Sequence, residues 1–77
     1  MSNVSKNTAG IFIGRFQPLH NGHIEIINKM IEEVDHPVVI VGSASGPRTP
    51  LNPFNFQERW KMLRDVFGDK ITVFSAD

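Results

Sequence analysis

The chain has no cysteine. That excludes disulfide frameworks, thiolate zinc sites and cysteine nucleophiles, and it gives no sign of an oxidising compartment, so a cytoplasmic location is the default expectation. It also lacks a charge of one sign, because eight basic and eight acidic side chains cancel. Nothing in that balance calls for nucleic acid or an anionic membrane surface as a partner. No apolar run reaches the length of a signal peptide or a membrane span. Low-complexity tracts and internal repeats are absent too. What remains is a 77-residue chain with 40% hydrophobic and 21% charged residues. This is the composition of a small globular domain, or of part of one.

The polar stretch 1–9 reads as a loose leader, and 10–77 as the folded part. Gly10-Ile11-Phe12-Ile13-Gly14 is short, apolar and bounded by glycine, the pattern of a strand buried on both faces. After a loop, Ile24, Ile27, Met30, Ile31 and Val34 recur at the spacing of one helical stripe. His36-Pro37 stops that helix. Val38-Val39-Ile40-Val41-Gly42 reads as a second buried strand. The segment from Ser43 to Pro53 holds too many breakers for regular structure and reads as a long loop. Asn55 with Glu58 forms a capping box, and Phe56, Trp60, Leu63 and Phe67 repeat behind it on a helix that ends at Gly68. Ile71-Thr72-Val73-Phe74 is a third strand. The order β-α-β-α-β predicts an α/β fold, the half-unit of a doubly wound, Rossmann-like parallel sheet. A three-strand half-sheet leaves an open edge, so a homo-oligomer or a missing C-terminal half is an expected partner.

Ligands of such sheets bind at the carboxyl ends of the strands. Both unusual segments fall there. The first, Gly14-Arg15-Phe16-Gln17-Pro18-Leu19-His20-Asn21-Gly22-His23, combines a strand-end glycine, a fixed bidentate cation and two imidazoles at a helix start. Free N–H groups around Gly22 and His23, together with the helix dipole, suit capture of an anion. Gly22 would admit a phosphate closely. His20 and His23, three apart, can face one ligand and donate to phosphoryl oxygens. The helix N-terminus alone lowers an imidazole pKa, whereas a bound polyphosphate favours the charged form. The competing reading makes the histidines capping and packing groups, Arg15 a solvated charge and Gly14 a turn residue.

Protein-bound metal is not expected: no cysteine or third nearby histidine completes a shell, and His36 lies roughly 20 Å along helix one at about 1.5 Å per residue. In the second segment, Gly42 to Arg59, Arg48 and Asn52 offer a cation and an amide to an acceptor or a phosphate, against the alternative of an ordinary surface loop. Phe54, Phe56 and Trp60 read as core and loop anchors.

Together these segments resemble the HxGH nucleotidyltransferase superfamily and, within it, the nicotinamide mononucleotide adenylyltransferases. The lead-in Gly14-Arg15-Phe16-Gln17-Pro18 to His20-Asn21-Gly22-His23 carries the likeness, with Gly42-Ser43-Ala44 and the stretch from Asn52-Pro53-Phe54 to Glu58-Arg59. The resemblance implies transfer of AMP from ATP to nicotinamide mononucleotide, giving NAD and pyrophosphate. It implies that Arg15, His20 and His23 contact the ATP phosphates, that Gly14 and Gly22 make room, and that Glu58-Arg59 tie helix two to the site's framework. Magnesium (Mg2+) would arrive with the ATP. Domains of this family are longer, and their later half supplies a second phosphate-binding segment that has no counterpart here. The alternatives are transfer of an adenylyl or cytidylyl group to another phosphate acceptor, and a non-catalytic nucleotide-binding or interaction module.

Overall fold

A computed structural model of the chain describes residues 8–45 and 48–77. Most of the expected leader, residues 1–7, lies outside the described residues, as do Gly46 and Pro47 of the second loop. Three strands, β1 (Ala9–Gly14), β2 (His36–Val41) and β3 (Thr72–Ser75), form one parallel sheet in the order β1-β2-β3. Helix α1 (Asn21–Glu33) connects the first pair and α2 (Phe56–Phe67) the second, the latter followed by a 3-10 turn at Gly68–Lys70. The β-α-β-α-β order is therefore observed. Boundaries shift by a residue or two: Ala9 already belongs to β1, β2 begins at His36 with Pro37 inside it, and β3 runs one residue later than expected.

Both crossovers step across the sheet in the same direction. Right-handed connections then set both helices on one face. On that face Phe12, Val39 and Val73 stand in register, and Val39 and Val41 pack with Ile27 of α1 and with Leu63 and Phe67 of α2, while Phe12, Met30 and Val73 close the margins of this core. Among the described residues no segment packs over the opposite face: Ile11 is 64% and Ile13 65% exposed, and Phe74 is exposed beyond them. The expectation that β1 is buried on both faces is thus corrected. An apolar β-branched run reports the need for cover and cannot say which segment supplies it.

The stripe of α1 is as expected, with Ile27 fully buried and Ile24, Met30 and Ile31 packed around it. That of α2 is not. Trp60 is 41% exposed, and the buried positions are Arg59, Leu63 and Phe67. Trp60 instead lies on the flank of the helix under the Arg64 guanidinium, 5.3 Å from its ring centroid. The physical reason is Arg59: it finds four carbonyl acceptors beneath the helix, and turning it inward rotates its neighbour out.

Candidate functional site

The carboxyl ends of β1 and β2 are bound together before any ligand is considered. Gly42 N–H donates to Gly14 O at 2.8 Å, so the chain leaves both strands from one point. Phe16, two residues on, has a φ of 51°, in the left-handed region that bulky residues avoid. Its ring fills the space above Gly14 and is buried. A Cβ built on Gly14 would stand 2.8 Å from that ring. Gly14 is thus required by the packing of Phe16.

Phe16 is the floor of the histidine pair. The His23 ring packs on it with centroids 4.7 Å apart, and Phe12 meets Phe16 edge-on at 5.9 Å. His20 then stacks on His23, with centroids 3.7 Å apart and ring planes 26° from parallel. His20 is the N-cap of α1: its Nδ1 accepts from Gly22 N–H at 3.1 Å, and His23 Nδ1 accepts from His20 N–H at 3.2 Å. This is a capping box made of two imidazoles. A ring nitrogen that accepts carries no proton, so each neutral ring holds its proton on Nε2 and keeps that N–H as its donor. Burial, and secondly the neighbouring His20, hold the His23 pKa below its ordinary value.

Two sequence expectations change here. The Gly22 N–H is engaged by His20, not free. Gly22 also has a reason inside the molecule to be glycine, because a Cβ there would lie 3.0 Å from the His20 ring. The capping and packing reading and the donor reading of the histidines are compatible: Nδ1 serves the first and Nε2–H the second.

The second loop is fastened over the first. The Gln17 amide makes a two-way bond with the backbone of Phe54: Nε2 donates to Phe54 O at 3.0 Å, and Phe54 N–H donates to Oε1 at 2.9 Å. Beside it, Arg15 Nη2 donates to Asn52 Oδ1. Thr49 and Asn52 close a small antiparallel bridge, one piece of order in a segment expected to be irregular. Arg15 and Asn52 are therefore brought together. Arg48 is drawn elsewhere: it pairs with Glu58 at 2.9 Å and donates to Pro53 O at 3.1 Å. Glu58 is also the capping-box partner of Asn55. The hydrogen bond from Asn55 N–H, with the Arg48 guanidinium beside it, keeps its carboxyl below the usual range. An open pocket of about 250 Å³, lined by Ala44, Asn55, Phe56 and Gln57, lies between the second loop and the first turn of α2, apart from the histidine pair.

Residue-type reasoning assigned no role to Gln17. Its position within the ten-residue segment was visible, but its partner is 37 residues away. The framework role expected of Glu58-Arg59 is observed in the capping bond of Glu58 and the carbonyl bonds of Arg59. His36 stands at the amino end of β2, paired with Ala9, at the far end of the sheet from these loops.

Among the described residues no group of three or more metal-ligating side chains comes together, and no helix is long and apolar enough to cross a membrane. With both Nδ1 atoms spent on backbone N–H groups, the ring nitrogens left over are Nε2–H donors, which suit an anion better than a bare cation.

The sequence and the fold are similar to those of known proteins. A nicotinamide-nucleotide adenylyltransferase of Thermococcus sibiricus is 43% identical over 61 residues, which are 79% of this chain and 33% of that one. Its namesake in Saccharolobus solfataricus is 42% identical over 60 residues, 78% of this chain and 35% of the relative. This chain thus spans about a third of the length of the curated relatives it matches. Among solved structures, a bifunctional NMN adenylyltransferase/ADP ribose pyrophosphatase from Francisella tularensis, complexed with AMP and a manganese ion, superposes with a TM-score of 0.83 at 29% identity, covering 90% of this chain and 22% of that one. The cytidylyltransferase-like family model matches residues 11–77, nearly all of the folded part, and the chain belongs to that family.

Proposed function

We propose that this chain forms the N-terminal, phosphate-binding half (residues 10–77) of a nicotinamide mononucleotide adenylyltransferase. The observation that carries the reading is the stacked pair His20 and His23, whose Nδ1 atoms are occupied by backbone and whose Nε2–H groups remain as donors at the start of α1. The names of the relatives supply the substrate class.

In this reading the triphosphate of ATP lies over the start of α1. An oxygen of the 5′-phosphate of nicotinamide mononucleotide attacks the α-phosphorus, the bond from that phosphorus to the bridging oxygen of the β-phosphate breaks, and pyrophosphate leaves with the electron pair. Both nucleophile and leaving group are anions already, so the protein provides no nucleophile and moves no obligatory proton. Its work is to hold two anions in line and to offset the charge that grows on the leaving group. Arg15 supplies a fixed cation, the two Nε2–H groups supply donors, and the α1 N-terminus supplies a favourable dipole. Asn52 sets the Arg15 guanidinium, and Arg48 reaches the acceptor by exchanging Glu58 for its phosphate. Magnesium enters with ATP as part of the substrate, held by phosphates and water.

The test is to incubate the chain with magnesium-ATP and a panel of phosphate acceptors and to follow NAD and pyrophosphate by mass spectrometry. NAD and pyrophosphate in equal amounts are expected with nicotinamide mononucleotide; a product formed only with a different acceptor would overturn the substrate assignment. Saturable ATP binding with no product from any acceptor would instead support a nucleotide-binding module.

A further inference from the structure

Arg59 is the one charged side chain that is fully buried among the described residues, at 1% exposure. Its guanidinium donates from Nε to Asn55 O at 3.1 Å, from Nη1 to Arg15 O at 3.0 Å and Gly42 O at 2.7 Å, and from Nη2 to Ser43 O at 3.1 Å. Every acceptor is a neutral carbonyl. The ion pairs among the described residues are Arg48–Glu58, Lys61–Asp65 and Arg64–Asp69, and none includes Arg59. Burial, and then the like charge of Arg15, push its pKa down. A buried ion with hydrogen bonds but no counter-charge is a costly arrangement for a fold to keep. A neutral donor, or a leucine in the stripe of α2, would avoid that cost.

The location of the charge supplies the reason. Arg15, Gly42 and Ser43 are the first residues past the ends of β1 and β2. The guanidinium therefore lies directly beneath the backbone from which both ligand-facing loops depart. We propose that Arg59 is a positioning residue whose buried charge takes its counter-ion from the polyphosphate of the bound nucleotide, drawing it down onto the loop without touching it. The inference rests on the nucleotide-binding reading above. A guanidinium that is itself held out of water, one backbone layer below a polyanion, is screened less than a solvated surface lysine would be.

A purely structural tie and an electrostatic anchor predict different data. Loss of a tie weakens every ligand alike, whereas loss of a charge weakens ligands in proportion to their own charge. The experiment measures equilibrium binding of adenosine, AMP, ADP, ATP and inorganic tripolyphosphate to the chain, to Arg59→Gln and to Arg59→Lys, each first checked for folding by circular dichroism. The wild-type chain should bind more tightly with each added phosphate. Arg59→Gln should shrink the ATP-to-AMP affinity ratio on the order of tenfold and leave adenosine nearly unmoved. Arg59→Lys, a charge without the fork, should lose stability and keep the graded response.

An unchanged ATP-to-AMP ratio in Arg59→Gln overturns the inference and leaves the nucleotide-binding reading standing. If Arg59→Gln does not fold, Arg59→Lys decides, and a flat response in the folded lysine variant overturns it equally. A wild-type chain that binds neither ATP nor tripolyphosphate overturns both.

Discussion

Replacing Gln17 by leucine should release the second loop from the first while leaving the sheet intact. The amide of Gln17 forms two hydrogen bonds to the backbone of Phe54, at 2.9 and 3.0 Å, and both ends are partly buried. Each such bond contributes about 1 kcal/mol net, and a backbone group left unpaired out of water costs about 1–3 kcal/mol. Partial exposure lets water take up some of that loss. Leucine occupies a similar volume, so no large cavity term is added. The expected cost is about 2 kcal/mol, concentrated on opening of the 49–54 segment. At about 1.4 kcal/mol per factor of ten, the Phe54 amide should exchange its hydrogen on the order of 30-fold faster. Leu63 in the middle of α2 should exchange at the wild-type rate. Native-state hydrogen exchange read by NMR makes the comparison residue by residue, and Gln17→Glu, which keeps the acceptor and loses the donor, should fall between. Wild-type protection of Phe54 in Gln17→Leu would refute the claim that this amide fastens the loops.

Asn55→Ala removes the side-chain oxygen that accepts from Glu58 N–H at 2.8 Å; a loss of about 1 kcal/mol is expected in urea unfolding, the usual worth of an N-cap. Ser43 has a φ of 54° and points no side-chain bond into Arg59, whose contact is with its carbonyl. Ser43→Gly should therefore raise stability by about 1 kcal/mol by removing left-handed strain, and a fall would place the strain elsewhere. The lowered His23 pKa has a signed consequence. The unfolded chain binds a proton there before the folded one does, so the contribution of His23 is complete above the unfolded value near pH 6.5 and is lost as pH falls through the folded value. Unfolding midpoints should drop on acidification in that window, and His23→Phe should flatten that part of the profile. Arg15→Ala should lower turnover, or ATP affinity, by more than it lowers the unfolding midpoint; equal losses in both would assign Arg15 to the framework.

Local chemistry made much of this legible in advance. Gly14, Asn55 and Gly68 punctuate the chain where the elements end, because glycine ends and asparagine caps act within a few residues of themselves. The parallel order followed from the spacing of three short apolar runs around two amphipathic stripes. Three features escaped because their causes are remote. Hydrophobicity alone points Trp60 inward, yet the carbonyls of Arg15, Gly42 and Ser43, supplied by distant segments, favour Arg59 there instead. The bare face of Ile11 and Ile13 depends on both crossovers turning the same way. The two-way bond of Gln17 spans 37 positions. The candidate site divides likewise: His20, His23 and the α1 start were readable as a motif, whereas their stacking, their tautomers and the occupation of the Gly22 N–H are products of the folded turn.

The uncovered side of the sheet changes how this polypeptide must be handled. Among the described residues, Ile11, Ile13 and Phe74 form a greasy plate on a sheet whose outer strands are β1 and β3, the combination that recruits neighbouring chains and chaperones. A dye that brightens on apolar surfaces should light up on the folded protein, without any denaturant, and dim when that plate is covered. Aspartate in place of Ile11 or Ile13 would make the same surface wettable while leaving Phe12, on the other side of the strand, in its core. Solubility and the chemistry of the strand ends are thus separable in this fold, one residue apart along β1.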